Sequence, residues 1–246
     1  NNVSDDIYPS WSPDGTKIAF ASMRDGNSEI YTMYVNGTFQ RRITNNGYSD
    51  IMPSWSPDGS KIVFSSKRDG NFDIYVMNAD GSNQVNISNT INVDIYPSWS
   101  PDASKIAFTS RSDGSNQIYI MNSDGSSQTN ISNNVHKDGQ PSWSPDGTKI
   151  AFTSERDEVK AQIYTMNWYG TNQTIYSDNQ GTTQLPSWSP DGTKILYISY
   201  TGTNYEIHTQ KTRFDLKKIF LLNKPASELN DMVYEWEELA SEYENN

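Results

Sequence analysis

Hydrophobic and polar positions alternate along this chain in short runs that return at a fixed interval. The first clear run is Lys17 to Ser22, in which Ile18 and Phe20 face one way and Ala19 and Ala21 the other. Both faces are apolar, which predicts a strand covered on both sides. Matching runs start at Lys61, Lys105, Lys149 and Lys194. A second strand is predicted at Glu29 to Tyr34, with counterparts Ile74-Tyr75-Val76-Met77, Ile118-Tyr119-Ile120-Met121 and Ile163-Tyr164-Thr165-Met166. Ahead of the first run lies a shorter strand, Tyr8 to Trp11, and behind the second a more polar one, such as Arg41 to Thr44 or Gln84 to Ser88. The polar strand suits an outer edge facing water.

Turn chemistry separates these elements. Ser12-Pro13-Asp14-Gly15 reads as a tight hairpin: proline presets φ, aspartate bonds nearby amides and glycine takes the left-handed conformation. Arg24-Asp25-Gly26-Asn27 is a second turn. Asn36-Gly37, Asp80-Gly81, Asp124-Gly125 and Tyr169-Gly170 supply a third. The tryptophans Trp11, Trp55, Trp99, Trp143 and Trp188 stand 44 or 45 residues apart, each inside Pro-Ser-Trp-Ser-Pro-Asp. Four antiparallel strands per repeat of that length make a propeller blade. The predicted class is therefore all-β, with five blades at about 5–48, 49–92, 93–136, 137–181 and 182–224. Because an active site occurs once and this motif occurs five times, the motif specifies blade packing and a turn.

The motif Pro-Ser-Trp-Ser-Pro-Asp-Gly-Thr-Lys-Ile-Ala-Phe, followed by Ser-x-Arg-Asp-Gly and Ile-Tyr-x-Met-Asn, resembles the WD-like repeat of TolB-type β-propellers over about residues 5–222. The resemblance implies a binding scaffold with a protein partner in the cell envelope or outside the cell. Propellers of this family serve many roles, so fold is implied more firmly than function.

The repeats disagree in places that matter. Blade three has Ala103 where the turn calls for glycine, at a cost of about 1 kcal/mol if φ is positive. Blade five has Ile207-His208-Thr209-Gln210 in place of Ile-Tyr-x-Met, then the basic residues Lys211, Arg213, Lys217 and Lys218 and a last strand at Ile219 to Leu222. From Pro225 the period changes. Leu229, Met232, Val233, Trp236, Leu239, Ala240 and Tyr243 form a helical stripe, predicting an acidic amphipathic helix over 225–246. Docking of this helix on the propeller is favoured over binding to a partner, because an exposed stripe bearing Trp236 invites aggregation. With five repeats, a closed five-blade ring is favoured over a fragment of a longer protein or an open array completed by another chain.

Composition narrows the function classes. Among 246 residues there is no cysteine, which excludes disulfides and thiolate chemistry. A net charge of −11 argues against general nucleic-acid binding. Residues 225–246 hold seven acids and no base, leaving −4 for the rest. No run approaches the roughly 20 apolar residues of a membrane span. No leader peptide is recognisable at the start, and the chain opens in mid-pattern, so a leader or a preceding domain is expected to have been removed.

Three groups of candidate site residues stand out. Asp6, Asp50, Asp94 and Asp138, with Thr183 in the fifth repeat, lie three residues before each motif proline. Converging at one mouth of a channel they would suit calcium; the plainer reading is that each caps its own loop. Tyr8, Met52, Tyr96, Gln140 and Leu185 directly precede the prolines and vary in character, as loop residues of a binding mouth would. Arg24, Arg68 and Arg156 recur at the end of the second strand beside Asp25, Asp69 and Asp157, and salt bridges within or between blades are the expected use. The two histidines, His136 and His208, are isolated. Loops at Asp80 and Asp124 lack the spacing and final glutamate of a calcium-binding loop. Sequons at Asn2, Asn36, Asn86, Asn130 and Asn172 are expected by chance in so Asn- and Ser-rich a chain. No nucleophile motif is present. The expectation is a non-catalytic propeller that needs no cofactor, calcium aside. The alternatives are the gating propeller of a prolyl-oligopeptidase-like hydrolase and a sugar-binding propeller.

Overall fold

The computed structural model describes residues 4–211 except 113, 157–159, 178–180, 201 and 203. Its strands group into five antiparallel sheets, each in chain order. Blade one is β1 (Asp6–Trp11), β2 (Lys17–Ser22), β3 (Glu29–Tyr34) and β4 (Arg41–Arg42). Blade two is β5 (Asp50–Trp55), β6 (Lys61–Ser66), β7 (Asp73–Asn78) and β8 (Val85–Asn86). Blade three comprises β9 (Asp94–Trp99), β10 (Lys105–Ser110), β11 (Gln117–Asn122) and β12 (Thr129–Asn130). Blade four comprises β13 (Asp138–Trp143), β14 (Lys149–Ser154), β15 (Gln162–Asn167) and β16 (Thr174–Ile175). Blade five has β17 (Thr182–Trp188), β18 (Lys194–Tyr200) and β19 (Tyr205–Lys211). The strand expected at 219–222 and the helix expected over 225–246 lie outside the described residues.

The turn reading is realised atom by atom. Ser12 donates its hydroxyl to Asp14 at 2.6 Å, and Asp14 accepts the Thr16 amide at 3.0 Å. These donors hold the Asp14 carboxyl down to about 2, below the usual carboxylate range. Ala103 adopts φ +58° at the place where Gly15, Gly59, Gly147 and Gly192 have φ near +70°. The turn therefore keeps its geometry and imposes the left-handed strain on alanine.

Packing between blades uses the two faces of each central strand differently. Ala19, Ala21 and Ile30 of blade one meet Trp55, Ile62, Phe64, Tyr75 and Met77 of blade two in one cluster. Clusters of the same kind join blades two and three around Trp99, three and four around Trp143, and four and five beside Trp188. Small residues on one face thus receive the aromatic knobs of the next, and burial of this apolar surface carries most of the stability.

Among the described residues the five blades do not close on one another as the sequence favoured. Inner strands β1 and β5, β5 and β9, β9 and β13, and β13 and β17 pack side by side, but among the described residues no comparable packing joins β17 to β1. The unmated faces are visible in exposure. Trp11 is 56% exposed, whereas Trp55, Trp99 and Trp143 are buried. Ile207 is 73% exposed, whereas its counterparts Ile30, Ile74, Ile118 and Ile163 are fully buried.

Candidate functional site

In each inner strand the pairing register slips once. Residues Tyr8 and Pro9 lie between the pairs Ile7–Ala21 and Ser10–Ala19, where the partner strand has only Phe20. The same bulge recurs in β5, β9, β13 and β17. Its first residue takes a left-handed backbone: Tyr8, Met52, Tyr96 and Leu185 have φ +56° and Gln140 has φ +58°. Five non-glycine residues in that region are a sustained local strain, and strain of this kind concentrates where a side chain must be aimed. The sequence put Tyr8 at the start of a strand and read all five as loop residues of a mouth; they lie inside the inner strands, and the bulge is what turns them inward.

The five bulges converge on one cavity. Tyr8, Met52, Tyr96, Gln140 and Leu185, with the proline after each and Ile7, line a space of about 540 Å³ at the centre of the array. Rings of Tyr8 and Tyr96, from blades one and three, meet edge to face with centroids 6.3 Å apart. Burial pushes the Tyr8 hydroxyl up from its ordinary value, with a further contribution from Tyr96. Gln140 ties the blades together: its Oε1 accepts the Thr153 hydroxyl at 2.7 Å and the Leu185 backbone amide at 3.0 Å, and its backbone N–H donates to the Thr109 hydroxyl at 3.0 Å. Among the described residues the lining holds no Ser, Cys, His, Asp, Glu or Lys. Such a surface can receive apolar and aromatic groups and fix them through two phenols and one carboxamide.

The four aspartates are not brought together. Each is the first residue of its inner strand, and among the described residues no group of three or more His, Cys, Asp or Glu side chains could hold a metal ion. Asp50, Asp94 and Asp138 bond side chains of the loop before them, and three of the four meet an arginine. Arg24 reaches Asp6 at 3.1 Å, Arg68 reaches Asp50 at 2.9 Å and Arg156 reaches Asp138 at 3.0 Å, each within one blade. Asp50 and Asp138 also accept the side-chain amides of Asn46 and Asn134. Asp94 accepts instead from the Thr90 hydroxyl at 2.9 Å. Burial, opposed by these donors, raises the Asp50 and Asp94 carboxyls above their ordinary value.

The arginines do more than pair with acids. Each lies over a tyrosine ring of its own blade, Arg24 over Tyr31, Arg68 over Tyr75 and Arg156 over Tyr164, at 4.4–4.5 Å. Sequence reasoning missed this stacking; the signal was present in the fixed offset between the Arg-Asp-Gly turn and the Ile-Tyr pair. Asp25 and Asp69 accept the hydroxyls of Tyr31 and Tyr75, while Asp157 lies outside the described residues. His208 stacks on Tyr197 at 5.7 Å and approaches Glu206 at 3.4 Å, and His136 lies in the connection between β12 and β13. The turn at Asp80 is a hairpin closed by Ser82. No helix among the described residues is long and apolar enough to cross a membrane.

The family model for the TolB beta propeller domain matches residues 4–94 and 84–228. No curated protein matches the sequence. Among solved structures, the chain is similar to a protein assigned as TolB from Agrobacterium tumefaciens, at 22% identity and TM-score 0.78 over 86% of this chain and 78% of that one. It is also similar to TolB from Acinetobacter baumannii, at 24% identity and TM-score 0.74 over 85% of this chain and 52% of that one. A puromycin-hydrolyzing peptidase from Mycobacterium tuberculosis is similar at 13% identity and TM-score 0.69, over 85% of this chain and 36% of that one. This chain spans about half the length of Acinetobacter TolB and about a third of the peptidase. At these identities the likeness concerns the fold alone.

Proposed function

The chain belongs to the TolB beta propeller domain family, and from that premise we propose that it is a non-catalytic binding module whose central mouth receives an uncharged, apolar segment of a protein partner. The observation carrying this reading is the convergence of five strained bulge residues on one cavity. Backbone strain repeated in every blade costs stability, and a binding surface is what it offers in return. A peptide is favoured over a sugar because four of the five bulge residues are aromatic or aliphatic. A hydrolase role would need a nucleophile with an adjacent base, and the described residues of the lining supply neither. Similarity to TolB supports placement in the cell envelope or outside the cell.

The segment 225–246 is assigned to the uncovered face of blade five rather than to a partner. That face has Leu196 and Ile198 where other blades have Ala, Val, Ser or Thr, so it is too bulky for the aromatic knobs of a standard blade.

The mouth reading is tested by panning a phage-displayed library of random peptides and a glycan array on the full chain. Uncharged peptides rich in aromatic, aliphatic and proline residues should be enriched. Enrichment of peptides without aromatic or aliphatic residues, or binding only on the glycan array, would reject it.

A further inference from the structure

Three of the first four blades carry the same side-chain nest around an arginine. In blade two, Arg68 donates Nε to Ser66 at 2.8 Å, one terminal nitrogen to Gln84 at 2.7 Å and the other to Asp50 at 2.9 Å. Its guanidinium lies 4.5 Å from the Tyr75 ring centre and 5.6 Å from that of Phe64. Arg24 repeats every one of these contacts in blade one, and Arg156 repeats the serine, aspartate and ring contacts in blade four. The arginines are about a fifth exposed, so each nest opens at the surface.

Blade three keeps the nest and lacks the arginine. Ser110, Gln128, Asp94, Phe108 and Tyr119 occupy the matching positions, and Ser112 stands where the arginine would. The Phe108 and Tyr119 rings keep the same spacing as Phe64 and Tyr75, 5.8 Å. Ser112 is too short to reach Asp94; its hydroxyl pairs with that of Tyr119 at 2.6 Å. Two consequences are visible. Tyr119 is partly exposed where Tyr31, Tyr75 and Tyr164 are buried beneath a guanidinium. Asp94 is fully buried, and among the described residues it makes no ion pair, while Asp73 of the neighbouring blade adds a second buried carboxyl close by.

We infer that blade three holds a guanidinium site without a resident arginine, formed by Asp94, Ser110, Gln128 and the Tyr119 face, which opens at the Ser112–Tyr119 hydroxyl pair to take an arginine side chain from a partner protein. A planar guanidinium satisfies the carboxylate, the hydroxyl, the carboxamide and the ring at once, as Arg68 does, whereas the compact ammonium of lysine cannot stack and bond together. The site does not depend on the central mouth.

The test uses N-acetyl-arginine amide and N-acetyl-lysine amide as probes, titrated into the full chain carrying 13C-labelled tyrosine, with the Tyr119 ring resonance as readout. The arginine probe should shift that resonance saturably and bind about fivefold more tightly than the lysine probe. Ser112→Arg, which fills the nest from within, should abolish the shift. Asp94→Asn should weaken it about tenfold, and provides an independent check if the arginine variant does not fold. No saturable shift, equal binding of the two probes, or a shift that survives both substitutions would overturn the inference. Failure here with peptide capture intact at the mouth leaves the mouth reading standing.

Discussion

Arg24 and Arg68 make nearly identical contacts, so replacing each by alanine isolates one variable, the burial of the partner acid. Both bond a serine at 2.8 Å, a glutamine and an aspartate, and both stack on a tyrosine. The Asp6 side chain is 39% exposed, whereas that of Asp50 is 0% exposed. Arg24→Ala loses a half-exposed pair and a stacking contact, about 1 kcal/mol. Arg68→Ala in addition leaves Asp50 buried without its cation and close to Glu29, which costs about 3–5 kcal/mol. For a domain of this size the melting temperature should fall by roughly 2–4 °C for Arg24→Ala and by roughly 6–20 °C for Arg68→Ala. The sign of the pH dependence follows from Asp50. Burial, the largest cause, raises its folded pKa despite the opposing Arg68, and removing Arg68 raises it further. An acid whose folded pKa is raised binds its proton more tightly when folded. Its ionisation therefore costs stability above the unfolded value of about 3.9 and costs nothing below it. The Arg68→Ala deficit should be largest near pH 7 and shrink toward pH 4, as read by calorimetric melting at both pH values. Equal losses for the two variants, or an Arg68→Ala deficit independent of pH, would refute the reasoning.

Other perturbations probe other parts of the structure. Ala103→Gly should raise the melting temperature, because alanine sits at φ +58°; a gain of about 0.5–1 kcal/mol is expected from chemical denaturation, and a loss would mean that Ala103 packing outweighs the strain. A cysteine at Ile207→Cys should react with maleimide about tenfold more slowly than one at Ile91→Cys, if residues 225–246 cover blade five. Equal rates, or slow labelling of a chain that sediments as a dimer, would assign that face otherwise. Calcium added to the full chain should give no saturable heat, since the four aspartates are held singly in separate blades.

The blade was legible in the sequence because its determinants are local. Pro13, Asp14 and Gly15 dictate a turn through their own backbone preferences, and the Lys17–Ser22 run declares two buried faces. What lay between strands was harder to read. Asp50 and Arg68 are 18 residues apart in sequence and reveal their pairing only once β5 and β6 are aligned. The inward turn of Tyr96 rests on a bulge, which no periodicity announces, because bulge and loop residues share the same composition. Ring closure was hard to read for a related reason. Counting tryptophans gives the number of blades but not whether the faces bearing Trp11 and Ile207 are mates, and that depends on the volume of Leu196 and Ile198 against the aromatic side chains they would have to admit.

The most direct test of the central mouth is a calorimetric titration of one peptide selected by panning, against the native chain and against Leu185→Arg, which places a charge in an uncharged cavity. Leu185 is a surface residue of the bulge in β17, so the melting temperature should be little changed. The peptide should bind at a single site, and the substitution should weaken it at least about tenfold, a loss of about 1.4 kcal/mol. Equal affinity for the two proteins would place the binding elsewhere and contradict the account.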